Sequence, residues 1–159
     1  MQDLVKKLAA IMKEKKIMLA TAESCTGGLI ASEITKFAGA SSFFERGFIT
    51  YSNDAKHEEL GVDMQLINTH GAVSQEVAIA MAQGTLKNAH AHISVSITGI
   101  AGPSGGSQDK PLGLVHFATH NYHGLTHSEH HIYTGCRQDI QRQAAETALK
   151  LLISQAEQY

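Results

Sequence analysis

The segment that most restricts this fold is residues 17–22, Ile-Met-Leu-Ala-Thr-Ala, a short apolar run between two stretches with helical patterning. Such a run reads as a strand covered on both faces, which requires helices above and below a sheet. The stretch before it carries Leu4, Leu8 and Met12 at helical spacing, and the stretch after it carries Leu29, Ile30, Ile34 and Phe37. The alternation continues to the end of the chain. "FFERGFITYS" reads as a strand, "NDAKHEEL" as a short helix capped by Asn53, and "SQEVAIAMAQGTLKNA" as a helix with Ser74 at its N-cap. In "HISVSITG", Ile93, Val95 and Ile97 alternate with Ser94, Ser96 and Thr98, so one face is apolar and the other small and hydroxylated. A thirteen-residue loop, "GIAGPSGGSQDKP", leads to a hairpin of "LGLVHFATH" and "LTHSEHHIY" around "NYHG", and a last helix spans Arg137 to Ser154. Because the hairpin makes the sheet mixed, the expected architecture is α/β, a three-layer α/β/α sandwich with a mixed central sheet.

Composition narrows the class. With 159 residues, 43% of them hydrophobic and 18% charged, the chain suits one domain, residues 1–159, around one core. A formal charge of -2 argues against general attraction to nucleic acid. No stretch approaches the roughly 20 apolar residues of a membrane span. Cys25 and Cys136 are too few for a disulfide framework, and the N-terminal helix lacks a signal peptide's cleavage site, so the expected location is cytoplasmic.

Ligands of open α/β sheets bind beyond the carboxyl ends of the strands. Ser24, Tyr51 with Lys56, and Thr98 all fall at or just past such ends. The plain reading of Ser24 is a helix N-cap. Gly27 and Gly28 complicate it, because two glycines in a helical first turn cost about 1 kcal/mol each relative to alanine. Close approach of a ligand to the backbone would explain them, and free N–H groups there would suit a phosphate or an oxyanion.

A catalytic serine needs a base. No Ser-His-Asp arrangement is evident, since the segment is not G-x-S-x-G and the histidines cluster elsewhere, and Lys56 is the more interesting partner. In the first turn of "NDAKHEEL" the helix dipole disfavours its charged form, opposed by Asp54, Glu58 and Glu59. The bland reading is a solvated surface lysine. Tyr51 reads either as a buried phenol anchored by its hydroxyl or as a relay beside a Ser–Lys pair. Gly99, Gly102, Gly105 and Gly106 lie in a loop that is either a flexible connection or a nest of N–H groups for an anion, though it matches neither common nucleotide motif. Cys25 is a rival nucleophile if its thiol is activated, and otherwise a small buried filler. His116, His120, His123, His127, His130 and His131 crowd the hairpin, but with few carboxylate or cysteine partners they read as a solvent-facing surface with adventitious zinc or nickel binding, not a built metal site.

Several long stretches in fixed order carry a resemblance: "TAESCTGGLIASEIT", "FERGFITYSNDAKHEELGV", "HGAVSQEVAIAMAQG", "SVSITGIAGPSGGSQDKPLG" and the arginine-bearing last helix. Together they are similar to the nicotinamide-nucleotide amidase family, the C-terminal domain of competence-damage-inducible proteins, over nearly the whole chain. The resemblance implies hydrolysis of the carboxamide of nicotinamide mononucleotide to nicotinate mononucleotide and ammonia, by a chain of the stand-alone form. It assigns catalysis to Ser24, Tyr51 and Lys56, and requires no metal or organic cofactor. The oxyanion donors fall among the N–H groups of Cys25 to Gly28. Gly27, Gly28, Thr98, the glycine loop and Arg142 are the candidates for substrate binding. A homo-oligomer, most simply a dimer, is implied as well. Where family members often have Gly-Asp-Arg before the last helix, this chain has Gly135-Cys136-Arg137, which leaves the geometry at Arg137 open. The other functional class compatible with these residues is a silent family member that binds a pyridine nucleotide without turnover.

Overall fold

The computed structural model describes all 159 residues. The elements, in order, are α1 (Gln2–Lys15), β1 (Leu19–Glu23), α2 (Leu29–Thr35), β2 (Phe44–Ile49), α3 (Asn53–Leu60), α4 (Met64–His70), α5 (Gln75–Lys87), β3 (Ile93–Gly99), β4 (Leu114–Asn121), β5 (Thr126–Ile132) and α6 (Arg137–Gln158). The five strands form one sheet in the order β2-β1-β3-β4-β5. β1 runs parallel to β2 and β3, while β4 and β5 are antiparallel additions, so the sheet is mixed as expected. Helices α1, α2 and α6 pack on one face and α3, α4 and α5 on the other. The three-layer sandwich is therefore present.

Its two faces are filled differently. Toward α1, α2 and α6 the main core joins Ile93, Val95 and Ile97 of β3 to helical residues such as Leu8, Met12, Leu149 and Leu152. On the opposite face Ser94 and Ser96 donate their hydroxyls to the Ala82 and Ala78 carbonyls of α5. Small side chains that satisfy their own polarity let a helix backbone lie close to the sheet without orphaned hydroxyls. Close approach also explains Gly47 in β2, where a Cβ would stand 2.9 Å from the Thr21 hydroxyl.

Three helix boundaries differ from expectation, and one helix was not expected at all. The cap of α3 is Ser52, whose hydroxyl accepts from the Ala55 N–H at 3.0 Å, and Asn53 is the first helical residue. Both types cap well, but the oxygen must reach the amide three residues on, and only Ser52 has the extended backbone for it. Helix α4 was not foreseen, because its seven residues bury only Ile67 and offer no periodicity. Helix α2 ends at Thr35, and Phe37 packs beyond it edge-on against Phe43 at 6.1 Å. Helix α6 continues to Gln158, where Ala156 and Gln155 are still buried.

Candidate active site

β1, β2 and β3 point their carboxyl ends the same way, and the first turn of α6 closes over them. A cleft of about 220 Å³ lies there, bordered by Ser24, Tyr51, Lys56, Thr98 and Arg137. The three segments picked out from the sequence thus meet.

The inner wall is buried. Ser24 follows β1 directly and its N–H donates to the Ile97 carbonyl at 3.0 Å, which ties it to β3. Lys56, only 1% exposed, reaches from α3 and places Nζ 3.1 Å from Ser24 Oγ. The same Nζ lies 2.9 Å from the Thr50 carbonyl, 3.4 Å from that of Ser52 and 3.5 Å from that of Tyr51. Burial disfavours its charge and holds its pKa below the ordinary lysine value. The direction is as expected but the cause is different: desolvation acts, while Asp54, Glu58 and Glu59 are exposed to solvent and make no contribution.

The same physics argues against Cys25 as the nucleophile. Its buried thiol is pushed up to about 12, chiefly by desolvation, so the thiolate is inaccessible near neutrality. The backbone around it is more informative. The N–H groups of Cys25 and Thr26 have no acceptor in the protein, whereas that of Gly27 donates to the Ser24 carbonyl. That of Gly28 donates to Glu23 Oε2. Of the expected donors from Cys25 to Gly28, only the first two are therefore without a protein acceptor; Cys25 borders the cleft, and Thr26 lies directly behind it in the chain.

Gly27 and Gly28 do not border the cleft. Both precede α2 with positive φ, 59° and 98°, which is the reason for glycine there. A Cβ on Gly28 would also meet Ile49 Cδ1 at 2.9 Å. Backbone conformation, not an approaching ligand, accounts for the pair.

The outer wall is exposed. Tyr51, 59% exposed, is not the buried phenol anticipated. Its hydroxyl accepts from Arg137 Nη2 at 2.8 Å and touches neither Ser24 nor Lys56. Arg137 Nη1 donates to the Gly102 carbonyl at 2.7 Å, so one guanidinium joins β2's end, the glycine loop and α6. Thr98 borders the cleft, but its hydroxyl donates to the Ala72 carbonyl at 2.8 Å. Gly99 lines the cleft where a Cβ would strike Val115. Gly102 serves through its carbonyl. Gly105 and Gly106 lie away from the cleft, and a Cβ on Gly106 would collide with the backbone of Leu112 at 2.7 Å.

Arg142 lies outside the site, exposed and paired with Asp139 at 3.0 Å. The arginine at the cleft is Arg137, which the sequence reading passed over as a binding residue. Its signal was its place as the first residue of a helix starting at the strand ends. The missing aspartate at position 136 is made up locally, since Asp139 Oδ2 accepts from the Cys136 N–H at 3.1 Å. The histidines of the hairpin contact one another and their neighbours: His127 and His131 flank Glu129, and His116 faces His130 at 5.2 Å. No helix is long and apolar enough to cross a membrane.

Fold and site together define a class: a three-layer α/β protein with a serine and a buried lysine in contact at the carboxyl edge of its sheet. Within that class the chain belongs to the CinA C-terminal domain family, whose model matches residues 1–156. It is 46% identical over 157 residues to the nicotinamide-nucleotide amidohydrolase PncC of Escherichia coli (strain K12), covering 98% of this chain and 94% of that one. It is also 46% identical over 145 residues to a CinA-like protein of Syntrophobacter fumaroxidans, 89% of this chain but 33% of that longer protein. The crystal structure of the competence/damage inducible protein CihA from Agrobacterium tumefaciens superposes with a TM-score of 0.95 at 44% identity, covering 96% of this chain and 93% of that one.

Proposed function

We propose that this protein hydrolyses the carboxamide of nicotinamide mononucleotide, giving nicotinate mononucleotide and ammonia in pyridine nucleotide recycling. The observation that carries the reading is the buried Lys56 Nζ, 3.1 Å from Ser24 Oγ and biased by burial toward its neutral form. A neutral amine at hydrogen-bond distance is what a serine needs to become a nucleophile. The similarity to a nicotinamide-nucleotide amidohydrolase over nearly the whole chain supplies the substrate.

In this scheme Lys56 takes the Ser24 hydroxyl proton as Oγ attacks the amide carbon. The oxyanion of the tetrahedral intermediate accepts hydrogen bonds from the Cys25 and Thr26 N–H groups. The C–N bond then breaks, and the proton held by Lys56 goes to the departing nitrogen, releasing ammonia. Water attacks the acyl-serine, Lys56 takes one of its protons and returns it to Ser24 as the acyl C–O bond breaks, and the product leaves as a carboxylic acid that gives up the other proton to solvent to become the carboxylate. Side chains, two backbone amides and water suffice.

Arg137 is assigned to the phosphate. It stands between the reaction cleft and a neighbouring cleft of about 340 Å³ lined by Pro103, Leu112 and Cys136, the direction in which a ribose phosphate would extend. A guanidinium suits a phosphate, and the Ala101 and Gly102 N–H groups beside it are without protein acceptors. Tyr51 is assigned to holding Arg137, with a role in proton transfer reserved for movement on substrate binding. A cytoplasmic homodimer completes the reading, and light scattering checks the dimer.

The test is ammonia release from nicotinamide mononucleotide by the purified protein, with the product identified by chromatography and Ser24→Ala run alongside. Release by the parent and none by the folded variant is the expected outcome. Binding without ammonia release overturns the amidase and leaves a nucleotide-binding protein.

A further inference from the structure

Glu23 is completely buried and has no part in the scheme above. It ends β1, directly before Ser24, and its carbonyl accepts from the Thr50 N–H at 2.9 Å. Donors surround its carboxylate. Oε2 accepts from the Thr26 hydroxyl at 2.7 Å, from the Gly28 N–H at 3.0 Å and from the Ile30 N–H at 3.1 Å, and Oε1 accepts from the Ala31 N–H at 2.8 Å. Four donors and no acceptor are the partner set of a carboxylate. These bonds fold residues 24–28 back over Glu23 and use up the N–H groups at the start of α2 that an outside anion would otherwise seek.

From the other side, Gln141 of α6 donates its Nε2 to the Cys25 carbonyl at 2.9 Å. Because a trans peptide unit is planar, fixing the Cys25 C=O turns the Thr26 N–H in the opposite direction. The nucleophile turn is thus held at its acidic foot by Glu23 and at its central peptide by Gln141.

We propose that Glu23 and Gln141 are positioning residues for acyl transfer, clamping residues 24–26 so that Ser24 Oγ stays on Lys56 and two backbone N–H groups stay aimed at the developing oxyanion. The proposal rests on the reading of Ser24 as the nucleophile. Neither residue touches the reacting atoms; both act through the turn. Donors fixed before the charge develops need no reorganisation, and losing one oxyanion donor lowers turnover by about 100-fold or more.

The experiment compares the parent with Glu23→Gln, Gln141→Ala, Gln141→Lys and Gln141→Glu. Two quantities are read: kcat and KM for ammonia release, and the rate at which a sulfonyl fluoride labels Ser24 without nucleotide. Gln141 is on the half-buried side of α6, so its variants are expected to fold. Gln141→Ala should lose about tenfold in kcat and in labelling with KM within about threefold. Gln141→Lys, another donor, should recover most of the loss, and Gln141→Glu, an acceptor of the same shape, should not. Glu23→Gln should lose about 100-fold, since its amide NH₂ confronts N–H groups where an oxygen is needed. A merely structural role would lower the melting temperature and leave kcat and labelling of the folded fraction unchanged, which overturns the proposal. Should Glu23→Gln fail to fold, the Gln141 series decides. A parent that is labelled at Ser24 but releases no ammonia sinks the amidase reading while the labelling series still judges the clamp; a parent that resists labelling overturns both.

Discussion

The two walls of the cleft are built on opposite terms. On the inner wall Ser24, Cys25 and Lys56 are buried and tied to β3, α3 and backbone carbonyls. On the outer wall Tyr51 and Arg137 are exposed and meet each other across the cleft mouth. Burial is what changes reactivity, since it lowers the proton affinity of an amine and raises that of a thiol at once. An exposed guanidinium gains little from its neighbours, but it can meet a ligand without first losing a buried contact. The difference teaches that the inner wall holds the groups whose proton affinity the fold alters and the outer wall those left open to solvent, which is why the proposed function puts reaction chemistry on the first and substrate capture on the second.

The strongest way to break this comparison is Lys56→Met, which keeps the apolar stem and removes the amine. Turnover should fall on the order of 10³-fold, the contribution typical of a general base, and the pH limb of kcat/KM below the ordinary lysine value should vanish with it. Stability carries the same signature. Between the lowered pKa of folded Lys56 and the ordinary value, the unfolded chain binds more protons, so the stability of the parent rises with pH across that window. Chemical denaturation of Lys56→Met should show that rise removed, and a parent-like slope would mean that Lys56 is not desolvated.

A smaller effect is expected on the outer wall, and of a different kind. Arg137→Ala should raise KM by about 10- to 100-fold with little change in kcat, and Tyr51→Phe should raise it by only a few fold, through the hydrogen bond lost to Arg137. Steady-state kinetics separates the cases: a kcat loss of about 100-fold in Tyr51→Phe would move the tyrosine to the inner wall as a proton relay. Arg142→Ala, altering an exposed pair with Asp139, serves as the control with kinetics close to the parent.

The smallest effect sharpens the inner wall alone. Cys25 titrates at about 12 in the fold against 9 for a free thiol, so the folded state binds more protons between those values and stability falls as pH rises through them. Cys25→Ala should flatten that alkaline loss and leave turnover nearly unchanged at neutral pH. A large loss of turnover would return the thiol to contention as the nucleophile.

How much of this was legible before folding depended on how far each signal reached along the chain. The strands, α5 with its Ser74 cap, the mixed sheet and the three layers follow from local periodicity. So does the meeting of Ser24 and Lys56, because residues at the carboxyl ends of adjacent parallel strands converge whatever their side chains. The periodicity gives out where elements are short or competing caps adjoin, as at α4 and at Ser52 beside Asn53.

What tertiary structure alone decided are the assignments that join distant positions. Arg137 meets Tyr51 across 86 residues and Gln141 meets Cys25 across 116, while Arg142, one turn further along α6, faces solvent. No pattern in the last helix distinguishes these residues until α6 is laid against the ends of β1 and β3. Glu23 belongs with them: only its enclosure under α2 makes it the acceptor for four donors. Periodicity records which side of an element is apolar, so the sequence by itself determined the layers and the place of the cleft. Which polar groups meet within the cleft depends on the rotation and offset of one layer against another, set by the packing of the whole core.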